Sequence, residues 1–122
     1  MCGRFSLTVE GDAVADYFHI QNVSVHYQPD HNIAPGQIIP VITGAHDKRV
    51  LSLMRWGLIP SWAKVSSIGY KMFNARAETI DQKPSFRSAF FRRRCLIPVD
   101  SFYEWRQQGE PPLRIYLPDK PL

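Results

Sequence analysis

The sequence predicts an α+β fold, β-rich, with a mixed or antiparallel sheet or open barrel and a few flanking helices. Three observations carry this. Several short segments are rich in Ile, Val, Leu and Trp and read as three to five strands. Two or three segments show helical periodicity or helix-start signals, and they are grouped rather than alternated with strands. Ten prolines and seven glycines among 122 residues punctuate the chain into many turns. The length fits a single domain, residues 1–122, or part of one. There is no internal repeat and no low-complexity segment.

Each element has a local reason. Residues 5–8 read as a short extended entry. Thr8 can cap a helix whose first turn holds Glu10 and Asp12. Ala13, Val14, Tyr17 and Phe18 then mark one apolar face, so the helix is expected over about residues 9–19. Residues 21–36 are polar and end in the turn-forming Pro35-Gly36. Residues 37–43 read as a strand, with Pro40 suggesting an edge or bulge. A hairpin loop over 44–48 leads to a second strand over 49–59, with Val50, Ser52, Met54 and Trp56 on one face.

Trp62, beside Pro60 and Lys64, reads first as a lid on the core, with base stacking as the alternative. Asn74 can cap a short helix. Pro84 suits the first turn of another helix, with Phe86, Ala89 and Phe90 as its buried stripe. Residues 83–99 hold five basic side chains and no acidic one, which suits either a helix C-terminus or a phosphate-facing patch. Residues 95–105 read as strand segments bent at Pro98, with Asp100, Phe102 and Glu104 on one side. A turn over 107–112 precedes a last strand over 113–117.

The bulk properties exclude some classes. A net charge of +4 permits a polyanion partner without demonstrating one. No stretch has the roughly 20 apolar residues of a membrane span, and no secretory leader is legible. Two cysteines make no disulfide framework, so a cytoplasmic home is expected, with nucleoid association if the source is bacterial. Cys95 opens an apolar run and is expected to be buried. His19, His26, His31 and His46 show no zinc spacing, so no metal and no cofactor is expected.

The chemistry concentrates at Cys2. Initiator methionine is normally trimmed before a small second residue, leaving Cys2 as the terminus. One carbon skeleton then carries an α-amine with a reference pKa of about 7.7–8.0 and a thiol of about 8.5. Both are nucleophiles near neutral pH. Together they capture an aldehyde: the amine forms a Schiff base and the thiol closes a thiazolidine. Taken singly, a cysteine at a frayed terminus is more often accidental. Asn74, Glu104, Arg4 and Arg76 could serve such chemistry, although each alone reads as structural. Asn74 can donate and accept hydrogen bonds. Glu104, among aromatics, suits proton shuttling. Arg4 and Arg76 suit phosphates.

Five segments occur in order: Met1-Cys2-Gly3-Arg4-Phe5, Asn32-Ile33-Ala34-Pro35-Gly36, Arg55-Trp56-Gly57-Leu58-Ile59-Pro60-Ser61-Trp62, Asn74-Ala75-Arg76-Ala77-Glu78-Thr79 and Phe102-Tyr103-Glu104-Trp105. Together they strongly resemble the SOS response-associated peptidase (SRAP) family. The resemblance implies an enzyme of abasic-site processing in the DNA damage response, with peptidase and lyase-like character. It implies single-stranded DNA with an abasic site as the partner and a covalent thiazolidine DNA–protein crosslink through Cys2. Asn74 would position the amine or sugar, and Glu104 would assist proton transfer. Arg4 and Arg76 would hold phosphates, and Pro35 and Trp62 would abut the flanking bases. The alternatives are a Cys2 peptidase acting as an N-terminal nucleophile, or a non-catalytic single-stranded DNA binder.

One departure stands out. The family's catalytic histidine lies in a His-x-Arg-Met-Pro segment, and no histidine follows His46 here. The chain therefore resembles the N-terminal part of the family's domain. Uncovered sheet edges and self-association through them are expected.

Overall fold

The computed structural model describes residues 2–45 and 48–122. It is α+β, with antiparallel sheets, few helices and no closed barrel among the described residues. The hub is β1 (Phe5–Leu7), fully buried along its length. It lies inside a four-stranded antiparallel sheet with β2 (Asp30–Ile33), β5 (Ser101–Glu104) and β6 (Leu113–Ile115), in the order β2-β1-β5-β6. Phe5 and Leu7 enter the core with Val14, Ile33 and Trp56. Ser6 alternates to the other face, yet it is also buried. A buried hydroxyl needs a partner. Ser6 finds two, the Ser101 hydroxyl and the Asp100 carboxylate.

Helix α1 (Gly11–Phe18) contributes Val14 and Ala15 to the core that also holds Phe5 and Leu7. Its buried positions are Val14 and Ala15, with Phe18 half-buried, while Ala13 and Tyr17 are exposed. The apolar face is thus rotated from the expected one. The expected Thr8 cap is absent too: Glu10 holds the N-cap position, without a side-chain cap bond. Thr8 spends its hydroxyl on Asp100, across 2.7 Å. The helix stops where His19 turns left-handed, with φ 54°, and the Ile20 N–H returns to the Ala15 carbonyl.

Strands β3 (Ile38–Ala45) and β4 (Lys48–Arg55) form a separate antiparallel hairpin in unbroken register. The expected loop over 44–48 includes residues 46 and 47, which lie outside the described residues, as does His46 with them. Pro40 causes no bulge and sits opposite Leu53. Among the described residues the other edge of β3 carries only the bridge between Ile42 and Leu96, so a missing N–H is tolerated there. The buried residue of β4 is Leu51, whereas Val50 and Met54 are exposed. The expected face is thus exposed at Val50 and Met54, although across the ladder it shares its side with the buried Ile39 and Val41 and ends in the buried Trp56.

The chain then folds back on itself at a close approach. Gly57 has φ +142°, and a Cβ there would lie 2.3 Å from the Gly69 carbonyl oxygen. That approach docks the 3-10 helix (Ser66–Lys71) and leads to the Leu58 N–H bonding the Met72 carbonyl at 2.9 Å. Asn74 caps no helix; turns follow it over 77–82. Helix α2 (Pro84–Arg92) begins at Pro84, as its sequence signals, but buries no residue completely. Phe86, Ala89 and Phe90 are half-buried and Phe91 is exposed. Cys95 is exposed rather than buried; among the described residues its segment joins β3 through the Leu96 bridge alone. No helix among the described residues is long and apolar enough to cross a membrane.

Candidate functional site

Three aromatic rings build the floor beneath the N-terminus. Trp56 packs against Phe5 at 5.0 Å between ring centroids and against Phe73 edge-on at 6.2 Å. Phe5 ends the segment that carries Cys2, and Phe73 directly precedes Asn74. Trp56 therefore holds together two stretches separated by some seventy positions in sequence. The consequence is a direct contact: the Asn74 side-chain amide donates to the Cys2 carbonyl at 2.9 Å. This bond fixes the peptide plane leaving Cys2. The Cys2 side chain is half-buried against the core, and its thiol makes a long contact of 3.7 Å to the Arg4 carbonyl.

Glu104 approaches through the sheet. Phe5 pairs with Phe102 and Ser6 with Ser101, and the Tyr103 N–H donates to the Arg4 carbonyl at 2.9 Å. Carrying that antiparallel register one step on brings Gly3 level with Glu104. Glu104 stands half-buried at the end of β5, next to Tyr103.

Arg4 is half-buried and tethered, its Nη1 donating to Asn32 Oδ1 at 2.7 Å. It lines a cleft of about 280 Å³ with His31, Asn32, Tyr103, Trp105 and Pro112. The Tyr103 hydroxyl closes one wall by donating to the His31 carbonyl at 3.0 Å.

Pro35 opens the turn after β2. Gly36 in that turn has φ +93°, and its N–H bonds the Trp56 carbonyl at 2.8 Å, which ties the turn to the aromatic floor. Trp62 is 58% exposed, so it is no lid on the core. Arg76 is exposed two residues after Asn74. The basic side chains of residues 83–94 are likewise exposed.

Asn74 and Cys2 are joined directly, Glu104 ends the strand that pairs with β1, and Arg4 lines a cleft with Tyr103 and Trp105. Trp62 and the α2 arginines are exposed to solvent. Two groups escaped the sequence reading. Asn32, inside a quoted motif, orients Arg4. Asp100, beside the Phe102–Trp105 motif, accepts hydrogen bonds from Ser6 and from the N–H and hydroxyl of Thr8. Burial alone would push the Asp100 carboxyl up. The hydrogen bonds from Ser6 and Thr8, with Arg114 nearby, outweigh it and hold the carboxyl below its ordinary value. No group of three or more His, Cys, Asp or Glu side chains suited to a metal occurs among the described residues.

The family model described as SOS response associated peptidase (SRAP) matches residues 1–122. The chain is 48% identical over 122 residues to the Bacillus subtilis abasic site processing protein YoqW, covering 96% of this chain and 54% of that protein. It is 32% identical over 145 residues to the Xenopus tropicalis abasic site processing protein HMCES, covering 97% of this chain and 43% of that one. A crystal structure of a Bacteroides thetaiotaomicron protein superposes with a TM-score of 0.81 at 28% identity, over 98% of this chain and 56% of the other. The chain thus spans about half the length of the relatives it matches.

Proposed function

The chain belongs to the SOS response associated peptidase (SRAP) family, and from that premise we propose that it processes abasic sites in DNA. It binds single-stranded DNA carrying such a site and captures the ring-opened sugar covalently through Cys2. The observation that supports this most is the Asn74 bond to the Cys2 carbonyl. A terminal residue held by its own backbone presents both its nucleophiles from a fixed origin.

Hydrolysis of the Met1–Cys2 peptide bond frees the Cys2 α-amine. The amine nitrogen adds to the sugar aldehyde carbon, and loss of one water gives the Schiff base. The Cys2 sulfur then adds to the same carbon while the nitrogen takes the proton, closing a thiazolidine. Glu104, at the level of Gly3, exchanges protons with the carbinolamine oxygen and the ring nitrogen. Asn74 holds the Cys2 carbonyl, so amine and thiol share one orientation. Arg4 and Arg76 hold phosphates beside the lesion, and Pro35 and Trp62 meet the flanking bases.

The test incubates the protein with abasic single-stranded DNA and resolves it on a denaturing gel. A heat-stable adduct in wild type, lost in Cys2→Ala and in a protein with an N-terminal tag, is the expected result. Peptide cleavage with no adduct would assign Cys2 to a peptidase instead. Binding without either product, indifferent to Cys2→Ala, would make the chain a non-catalytic binder.

A further inference from the structure

The stretch carrying Cys2 is held by very little ladder. β1 has three residues. Its pairing with β2 is irregular, with a register shift between Phe5 and Leu7. Its pairing with β5 consists of Phe5 with Phe102 and Ser6 with Ser101. A strand so short specifies its register weakly by backbone pairing alone, and a slip by one residue turns every side chain to the opposite face.

We propose that Asp100 is the positioning residue that sets the register of β1 on β5, and thereby brings Cys2 to the end of β5. Asp100 lies immediately before β5, and its side chain is 10% exposed. Its Oδ1 accepts from the Ser6 hydroxyl, and its Oδ2 accepts from both the Thr8 N–H and the Thr8 hydroxyl. Its own N–H donates to the Ser6 carbonyl at 3.0 Å. One residue therefore grips positions 6 and 8 of the β1 segment at four points. The grip is phase-specific. Ser6 and Thr8 share a face, so a one-residue slip would present Phe5 and Leu7, which have no hydroxyl, to the carboxylate. Arg114 completes the arrangement, with Nε donating to Ser101 Oγ at 2.8 Å and Nη2 lying 4.0 Å from Asp100 Oδ1. Asp100 acts through the ladder of β1 on β5.

The link to catalysis rests on the proposed function, whereas the register claim does not, and the experiment separates them. Amide exchange is followed at Tyr103, whose N–H bonds the Arg4 carbonyl, and at Ile42, whose N–H bonds the Leu96 carbonyl in the other sheet. The adduct rate at saturating abasic DNA is measured beside affinity for undamaged single-stranded DNA. In Asp100→Asn, Tyr103 exchange is expected to accelerate by about tenfold relative to Ile42, because charge-assisted hydrogen bonds are lost. The adduct rate is expected to fall by about tenfold while affinity for undamaged DNA holds. Thr8→Val should act in the same direction and Thr8→Ser should restore wild-type behaviour; this pair decides the matter if Asp100→Asn does not fold. Equal acceleration at Tyr103 and Ile42, or no change at Tyr103, would overturn the register claim. An unchanged adduct rate with Tyr103 deprotected would overturn the positioning role. A wild type that forms no adduct sinks the proposed function and the positioning role with it, while the exchange data still decide the register.

Discussion

The side-chain amide of Asn74 donates to the carbonyl of Cys2 across 2.9 Å. The two residues are far apart in sequence, and Trp56 draws them together by packing against both Phe5 and Phe73. Replacing Asn74 with Ala leaves the Cys2 carbonyl without this donor. The cost to stability is expected to be about 1 kcal/mol, the ordinary net value of one hydrogen bond. The cost to adduct formation is expected to be larger, about tenfold or more in single-turnover rate, because orientation of the nucleophile is lost as well. Equal rates for Asn74→Ala and wild type would remove Asn74 from the account.

Two glycines at positive φ separate backbone from side-chain crowding. A Cβ at Gly57 meets the Gly69 carbonyl, which is backbone and cannot step aside. A Cβ at Gly36 meets the Tyr70 ring at 2.1 Å, but Tyr70 is 56% exposed and can swing outward. Gly57→Ala is therefore expected to cost about 3 kcal/mol and Gly36→Ala about 1 kcal/mol, both including the strained φ. Urea unfolding of the two variants checks the order; a Gly36 variant less stable than the Gly57 variant would contradict it.

Asp100 gives the fold an acid limit. Its carboxyl is held below its ordinary value, so the folded protein binds this proton less tightly than the unfolded chain does. The resulting stability is present in full above the unfolded value, about pH 4, and is lost as pH falls through the lower folded value. Unfolding midpoints measured from pH 6 down to about 2.5 should fall more steeply in wild type than in Asp100→Asn, whose group does not titrate. Parallel curves would show that Asp100 is not the group responsible.

Trp62 distinguishes surface chemistry from packing. At 58% exposure it supports little of the core, so Trp62→Ala should leave the thermal midpoint nearly unchanged. If it meets a base beside the lesion, affinity for single-stranded DNA should drop by about 1–3 kcal/mol. Fluorescence anisotropy with a labelled oligonucleotide reads this directly. Unchanged affinity would leave Trp62 outside the interface.

The fold class and the family were legible because they rest on local signals. Pro84 starts α2, the apolar run after Gly36 builds β3, and the motif order from Cys2 to Trp105 marks the family. What escaped was non-local. Thr8 has the chemistry of a helix cap, but Asp100 competes for its hydroxyl from 92 positions away. Cys95 begins an apolar run, yet among the described residues a single bridge at Leu96 ties that run to β3, and Cys95 is exposed. Val50 and Met54 alternate as a buried face should, yet both are exposed, because on that face burial falls on Ile39 and Val41 across the ladder and on Trp56. Asn32 shows the same limit at the site: its motif is visible in sequence, but its bond to Arg4 crosses from β2 to the β1 segment.

The central claim is that Cys2, as a free terminal residue, captures a DNA aldehyde with both of its nucleophiles. The most direct measurement is the intact mass of the denatured product formed with abasic single-stranded DNA. The expected mass is that of the chain lacking Met1 plus that of the oligonucleotide, less one water, with the bond mapped to Cys2. An adduct that retains Met1, an adduct bonded elsewhere in the chain, or no adduct from protein with a verified Cys2 terminus would contradict it.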